Sequence, residues 1–260
     1  MGTSILDGIL SKNILNNNDI FVLEPNNNQR KFLKKKGVSV FENIAEINFK
    51  KLGIKALIFA VKPQILETVA LEIKKYIYIK VPIISIVAGK RIKFYKKIFG
   101  KDSSIIRVMP NTPATYGMGI SAIYHCNKTK KIHFQKTNKI FSAVGKVISV
   151  KKENEMDIIT AISGSGPAYV FLFIENLIKS AINNGLDKKT AIELVKETFL
   201  GSSYMASISN KSAEELRIDV TSPGGVTEAA LKEFNQNNIL KNTIDKAINS
   251  AVKKSIILSK

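Results

Sequence analysis

From residue 1 to about 152 the chain alternates short β-branched runs with helical stretches, and from about Glu153 onward only helical patterns remain. That switch constrains the fold more than any other feature of the sequence. Alternation of this kind marks a doubly wound parallel sheet, whose strands are covered on both faces and read as continuous apolar runs. Residues 20–23, 56–61, 82–88 and 105–109 are such runs. A helix over 3–10 opens the chain, and a polar helix ending near Gly37 follows the first strand. Residues 120–124 predict another strand, 132–144 a helix and 147–150 a closing strand. The expected boundary puts an α/β domain over 1–152 and an all-helical domain over 153–260.

In the helical half, residues 156–184 read as one long apolar helix, interrupted at Ser163-Gly164-Ser165-Gly166-Pro167. Residues 188–207 are amphipathic, with Ala191, Leu194, Val195, Thr198 and Phe199 at helical spacing. Ser212 and Glu215 have the form of a capping box. A break at Ser222-Pro223-Gly224-Gly225 precedes a further helix, and 241–258 forms the last. A helical half this apolar predicts the core of an oligomer rather than a free-standing bundle.

Composition narrows the chemistry. The single cysteine, Cys126, excludes an internal disulfide and a cysteine-based zinc site, and two isolated histidines, His125 and His133, argue against any metal. Both histidines are expected at the surface. No unbroken run of about 18 apolar residues suggests a membrane span, and the start, MGTSILDGIL, lacks the pattern of a signal peptide. A reducing, cytoplasmic setting is the simplest expectation. The net charge of +19 invites a nucleic-acid reading, yet only Arg30, Arg91, Arg107 and Arg217 are arginines among 40 basic residues. The lysines are scattered along the chain beside abundant Asn and Ile, as an AT-rich genome encodes. No nucleic-acid or membrane partner is therefore expected.

A doubly wound nucleotide-binding, or Rossmann-like, domain opens with a strand and a G-x-G-x-x-G turn. Neither is present. Gly2 is placed as the last glycine of a fingerprint whose first two lie upstream of Met1; either the domain simply begins with a helix or, as is expected here, roughly ten residues with the first strand are absent, through a misassigned start codon or a genuine truncation. Several positions then carry chemistry. Lys62 and Pro63 follow a buried strand; Lys62 either touches a phosphate or ribose or is an exposed lysine at a helix start. Met109-Pro110-Asn111 ends another strand, as part of a ligand edge or as a rigid turn. Ser222 to Thr227 is the strongest local signal. A Pro-Gly-Gly turn entering a helix leaves backbone N–H groups free for an anion, with two hydroxyls beside it, unless it is an ordinary capped turn. The Ser163–Gly166 segment suits close helix packing or a dimer contact better than a phosphate loop. No Ser-His-Asp or Cys-His arrangement is readable, so cofactor-driven chemistry is the better expectation.

Taken together, AVKPQ (60–64), RVMPNTPATYGMG (107–119), AISGSGPAYVF (161–171) and DVTSPGGVTEAAL (219–231) resemble the pyrroline-5-carboxylate reductase family, in order and spacing across essentially the whole chain. The resemblance implies NADPH- or NADH-dependent reduction of 1-pyrroline-5-carboxylate to L-proline, the last step of proline synthesis. It implies that Ser222 and the N–H groups of Gly224, Gly225 and Val226 hold the substrate carboxylate, and that Thr227 hydrogen-bonds the ring nitrogen. It places Gly2, Glu24, Lys62, Pro63, Ala88, Met109, Pro110 and Asn111 along the cofactor cleft. It also implies an intertwined homodimer, with the active site where one subunit's cofactor domain meets its partner's helices, and frequent further assembly into decamers.

Two departures from the family pattern matter. Without the glycine loop the pyrophosphate loses backbone donors, which would weaken cofactor binding by orders of magnitude. Glu24, at the end of the second expected strand, suits the 2′-hydroxyl of NADH and repels the 2′-phosphate of NADPH, whereas the family often prefers NADPH. The competing expectations are a helical scaffold that has lost cofactor binding, and a related oxidoreductase acting on another imine or a 3-hydroxy acid.

Overall fold

The computed structural model describes residues 1–77 and 81–259. The chain divides into two compact units, one formed by Met1–Ser165 with Ala251–Lys260 and the other by Gly166–Ser250.

The first unit opens with α1 (Gly2–Ser11), β1 (Phe21–Leu23), α2 (Asn27–Lys34), β2 (Ser39–Phe41) and a single turn, α3 (Phe49–Leu52). It continues through β3 (Leu57–Phe59), α4 (Leu66–Lys74), β4 (Ile83–Ser85), α5 (Ile92–Phe99), β5 (Ile105–Met109), β6 (Gly119–His125), α6 (Lys131–Ser142), β7 (Gly145–Ser149) and α7 (Glu155–Ile159). The strands form two sheets. Among the described residues β1 pairs only with β2, and the second sheet runs in the order β3-β4-β5-β6-β7.

Within the larger sheet β3, β4 and β5 are parallel, with Leu57, Ile83 and Ile105 in register. β6 then runs antiparallel to β5, and β7 parallel to β6. The doubly wound expectation holds for the fold, but this reversal was not foreseen. Its cause is the short link over 110–118, which carries only a 3₁₀ segment, Thr112–Tyr116. A parallel return needs a full crossover, and this link is too short for one.

Burial follows the topology. Ile84, Ile105, Ile106, Ile123 and Phe141 are almost completely enclosed. Residues 56–61, expected to be a buried strand of a parallel sheet, yield a strand whose Leu57 and Ile58 are only half-buried. Among the described residues β3 is an edge strand, as is β1, and each has a neighbour on one side. α1 lies over both sheets. Ile5 and Ile9 pack with Ile84 and Ile106, while Leu6 packs with Leu33, Val38 and the side chains of Val22 and Val40.

The second unit contains α8 (Gly166–Asn183), α9 (Lys188–Ile208), α10 (Ala213–Asp219), α11 (Val226–Asn235) and the greater part of α12 (Ile239–Leu258). The expected interruption at Ser163–Pro167 is milder than a break. The helix passes through a π turn at Thr160–Gly164, and Pro167 sits in the first turn of α8, where its missing N–H costs nothing. Ser212 and Glu215 form the foreseen capping box, Glu215 N donating to the Ser212 hydroxyl and Ser212 N to the Glu215 carboxylate. The Glu215 carboxyl is held below its usual range by the backbone hydrogen bond from Ser212.

This unit has little core of its own. Phe173 meets Phe199 and Phe234 with ring centres 5.9 and 6.2 Å apart, but neither α8 nor α11 contains a buried residue. Phe171, Leu172, Leu200, Tyr204 and Ile208 are exposed. The helical stretch Glu155–Asn183 is long and apolar enough to cross a membrane by length and composition. No single unbroken apolar run foretold this, because Ser, Gly and one Glu–Lys pair interrupt the sequence; Glu175 and Lys179 form an ion pair one turn apart.

Candidate active site

In the first unit, parallel strands present their carboxyl ends along one edge, and open α/β sheets bind ligands there. β3 ends into Ala60, Val61, Lys62 and Pro63; β4 into residues 86–91; β5 into Pro110 and Asn111. The first turn of α1 stands among these loops. A Cβ on Gly2 would come within 3.2 Å of Ala60 Cβ. The Ser4 and Thr115 hydroxyls are 3.0 Å apart, tying α1 to the loop after β5, and Gln29 donates to the Thr3 hydroxyl at 3.2 Å. No acceptor is found among the described residues for the N–H groups of Gly2, Thr3 and Ser4, as expected of a helix start.

The residues read from the sequence take different parts at this edge. Lys62 is exposed, and its carbonyl accepts the N–H of Ile65, so it opens the turn into α4. Pro63 and Ala88 are half-buried, and Met109 and Pro110 are buried. The Asn111 side-chain oxygen accepts the N–H of Ile120 at 2.9 Å, which binds the turn to β6, and its NH₂ has no acceptor among the described residues. Glu24 ends β1. One carboxylate oxygen accepts the N–H of Asn26 at 2.9 Å, steadying the turn into α2. Arg30, a nearby cation able to offset an additional phosphate, is already engaged. It donates to the Glu24 carbonyl and pairs with Glu42 at 2.8 Å.

The second unit holds Ser222–Thr227. Gly224 takes the left-handed φ of +70° that the turn requires. Gly225 is the N-cap of α11, so Val226 and Thr227 are its first two helical residues. The Ser222 and Thr227 side chains are exposed, and their hydroxyls have no hydrogen-bond partner among the described residues. The backbone amides are not equivalent. Gly225 N–H closes the turn onto the Ser222 carbonyl at 3.0 Å, so it is not free for a ligand as expected. Gly224 N–H donates to the Glu228 carboxylate at 2.7 Å. Val226 and Thr227 N–H find no acceptor within the described chain. A carboxylate oxygen thus already sits on one amide of this turn, and two further amides and two hydroxyls are open beside it. Glu228 went unremarked in the sequence; its place one turn into the helix was the available signal.

Ser163 and Gly164 are engaged within their own unit. The Ser163 hydroxyl donates to the Ile159 carbonyl of its own helix, and a Cβ on Gly164 would meet the Met109 sulfur at 3.5 Å. The histidines are half-buried rather than exposed, because they lean on the sheet. His133 Nδ1 lies 3.2 Å from the Ser104 hydroxyl, and His125 packs against Phe134. Burial holds His133 below its usual range.

A nucleotide-type α/β sheet joined to a helical unit with a carboxylate-ready turn defines a two-unit oxidoreductase class. The model for the family described as pyrroline-5-carboxylate reductase dimerisation matches residues 153–258. An Arabidopsis thaliana pyrroline-5-carboxylate reductase is 34% identical over 260 residues, covering 100% of this chain and 92% of that protein. The solved reductase from Coxiella burnetii shares 35% identity at a TM-score of 0.90, covering 100% of this chain and 95% of that one. The Plasmodium falciparum enzyme, solved with NADP bound, shares 32% at 0.86, with 100% and 95% covered. The chain belongs to the pyrroline-5-carboxylate reductase family.

Proposed function

We propose that this chain reduces 1-pyrroline-5-carboxylate to L-proline with a reduced nicotinamide cofactor. The observation that carries this reading is the Ser222–Thr227 turn, where a carboxylate already occupies the Gly224 amide and the Thr227 hydroxyl stands free one turn away. The carboxyl edge of the first unit fits a dinucleotide. Gly2 brings the first turn of α1 close to Ala60, and the α1 amides offer donors to a phosphate. Gly2, Lys62, Pro63, Ala88, Met109, Pro110 and Asn111 line this edge in our reading, with Glu24 at the ribose.

When bound, the cofactor supplies a hydride to the imine carbon. The chain supplies orientation and charge. The Ser222 hydroxyl and the Val226 N–H receive the substrate carboxylate, joined by Gly224 N–H once Glu228 withdraws, while Gly225 shapes the turn. The positive end of α11 favours that anion. The Thr227 hydroxyl donates to the ring nitrogen as the C=N bond becomes a single bond, and the nitrogen keeps or takes one proton from its own iminium form or from water. The test is nucleotide oxidation with the cyclic imine and with a panel of other imines, set against reduction of the oxidised nucleotide by 3-hydroxy acids. Turnover restricted to the hydroxy acids would reject this function.

Glu24 and the engaged Arg30 favour NADH over NADPH. Glu24→Ala is expected to move the ratio of kcat/KM for the two nucleotides toward NADPH by about fivefold, since removing one like charge near a phosphate is worth roughly 1 kcal/mol at a solvated site. An unmoved ratio places Glu24 outside ribose recognition.

The chain assembles as a homodimer through its helical unit, which covers the exposed Phe171, Leu172, Leu200, Tyr204 and Ile208. The double change Phe171→Glu with Leu172→Glu is expected to give monomers in light scattering and a large loss of soluble yield. A dimer of unaltered stability would put the interface on another face.

A further inference from the structure

Buried charge gathers beneath the connection between β4 and α5, a segment carrying Ala88 and Gly89. Arg107, in β5, is 4% exposed, and its Nη1 donates to Glu153 Oε1 at 2.9 Å. The same oxygen accepts the N–H of Ile92, the first residue of α5, at 2.6 Å. One residue earlier, Arg91 donates through Nη2 to Asp157 Oδ2 at 2.9 Å and through Nε to the Ser259 hydroxyl at 3.1 Å. The second oxygen of Asp157 accepts from the Ser255 hydroxyl at 2.7 Å, and both residues are buried.

At the start of the same segment, the Ser85 hydroxyl accepts the Val87 N–H at 3.1 Å and makes a short bond with the Tyr95 hydroxyl. Burial pushes the Tyr95 hydroxyl up to about 12, so it stays protonated at neutral pH. The far side is closed by the last turn of α12. A Cβ on Gly89, whose φ is +76°, would lie 2.9 Å from Leu258 Cβ and 3.1 Å from its carbonyl oxygen. Met156 packs in the same small cluster as Ala88 and Met109.

Stability alone is a poor account of this arrangement. Buried ion pairs give little net stabilisation relative to apolar residues of equal volume, whereas a fully satisfied polar network fixes geometry. What it fixes here is a loop at the carboxyl edge of the sheet. We propose that Asp157 is a positioning residue for nicotinamide-cofactor binding: it holds Arg91 with one oxygen and Ser255 with the other, and so presents Ala88–Gly89 preformed to the cofactor. This rests on the reading of the first unit as the cofactor-binding one. A loop ordered before binding spares the ordering cost that a mobile loop incurs.

The test uses the full chain with Asp157→Asn, which keeps the shape but removes the charge facing Arg91, and with Ser255→Ala, which removes one bond. Direct fluorescence titration gives Kd for NADH and NADPH, and steady-state kinetics gives KM for the cyclic imine. The expected result is a rise of about tenfold in cofactor Kd for Asp157→Asn and about threefold for Ser255→Ala, with the imine KM within about twofold of the parent. Asp157→Glu, which restores the charge, is expected to recover part of the affinity. Unchanged cofactor Kd in a folded variant with a lowered Tm overturns the proposal, as does an equal rise in both constants. If Asp157→Asn does not fold, Ser255→Ala decides on the same criteria. A parent chain that binds neither nucleotide overturns the underlying reading and this inference together, and that outcome is visible before any variant is made.

Discussion

Thr227→Ala is expected to lower turnover by about 10²- to 10³-fold while leaving the cofactor Kd unchanged within about twofold, the range found when a single well-placed donor to a developing charge is removed. Thr227 is exposed, has no hydrogen-bond partner among the described residues and lies in the first turn of α11. Removing its hydroxyl therefore breaks no internal bond and opens no cavity. Whatever is lost belongs to the substrate. Thr227→Ser keeps the hydroxyl and is expected to restore most of the rate. Measuring kcat, KM and nucleotide Kd for both variants separates the roles. Parallel losses in kcat and cofactor affinity would make Thr227 a structural residue of the turn, and the assignment of the ring-nitrogen contact would fall with it.

Gly145→Ala is expected to abolish the native fold rather than weaken it. Gly145 begins β7 with φ +144° and is paired in register with Gly119 of β6. A Cβ added there would lie 1.9 Å from the Gly119 carbonyl oxygen and 2.5 Å from its carbonyl carbon, both backbone atoms that cannot move aside. Gly119 is equally confined, since a Cβ on it would fall 2.9 Å from the backbone N of Ala114. Three backbone segments are thus layered without side chains between them. The cost exceeds about 4–5 kcal/mol, the range reserved for strain and overpacking with no route to relax. Insoluble expression, or a Tm lowered by more than about 10 °C in a soluble product, is the expected outcome. A variant melting with the parent would show that the β6–β7 approach is looser than these distances require.

Those glycines also show what was legible beforehand. The segment RVMPNTPATYGMG was readable as a motif, yet nothing in it says that Gly119 faces another glycine 26 positions later; that depends on strand pairing, which is nonlocal. Residues 105–109 were readable as a continuous apolar run and 188–207 by helical spacing, although only Ala191 of that helix is buried. β2, α4 and α5 went unmarked; β2 is only three residues long, while α5 does bury Ile92, Tyr95 and Ile98 at helical spacing between its lysines. The reversal at β6 was hidden in the length of one link. At the candidate site, the Ser222–Thr227 turn was legible from its Pro-Gly-Gly chemistry. The internal use of the Gly225 amide and the Glu228 carboxylate on Gly224 was not, since both depend on backbone direction after the turn. The Arg107, Glu153, Arg91 and Asp157 network was invisible for a plainer reason: its members are scattered from 91 to 157 in the chain, and no spacing rule joins them.

One consequence follows from the division of the strands into two sheets. Because β1 and β3 are not paired, α1 is the element whose side chains reach into the clusters on both sides. Proteins open in cooperative pieces, and here the natural piece is β1, α2 and β2, released whenever α1 lifts. On the proposed placement of the cofactor, a nucleotide resting on the α1 amides would bind only the closed form, and at a hundredfold excess over Kd it would suppress such an opening by about 2.7 kcal/mol. Amide hydrogen exchange in Phe21–Leu23 and Ser39–Phe41 should accordingly slow by about a hundredfold when nucleotide saturates the chain, making two short strands a reporter of occupancy at the helix above them.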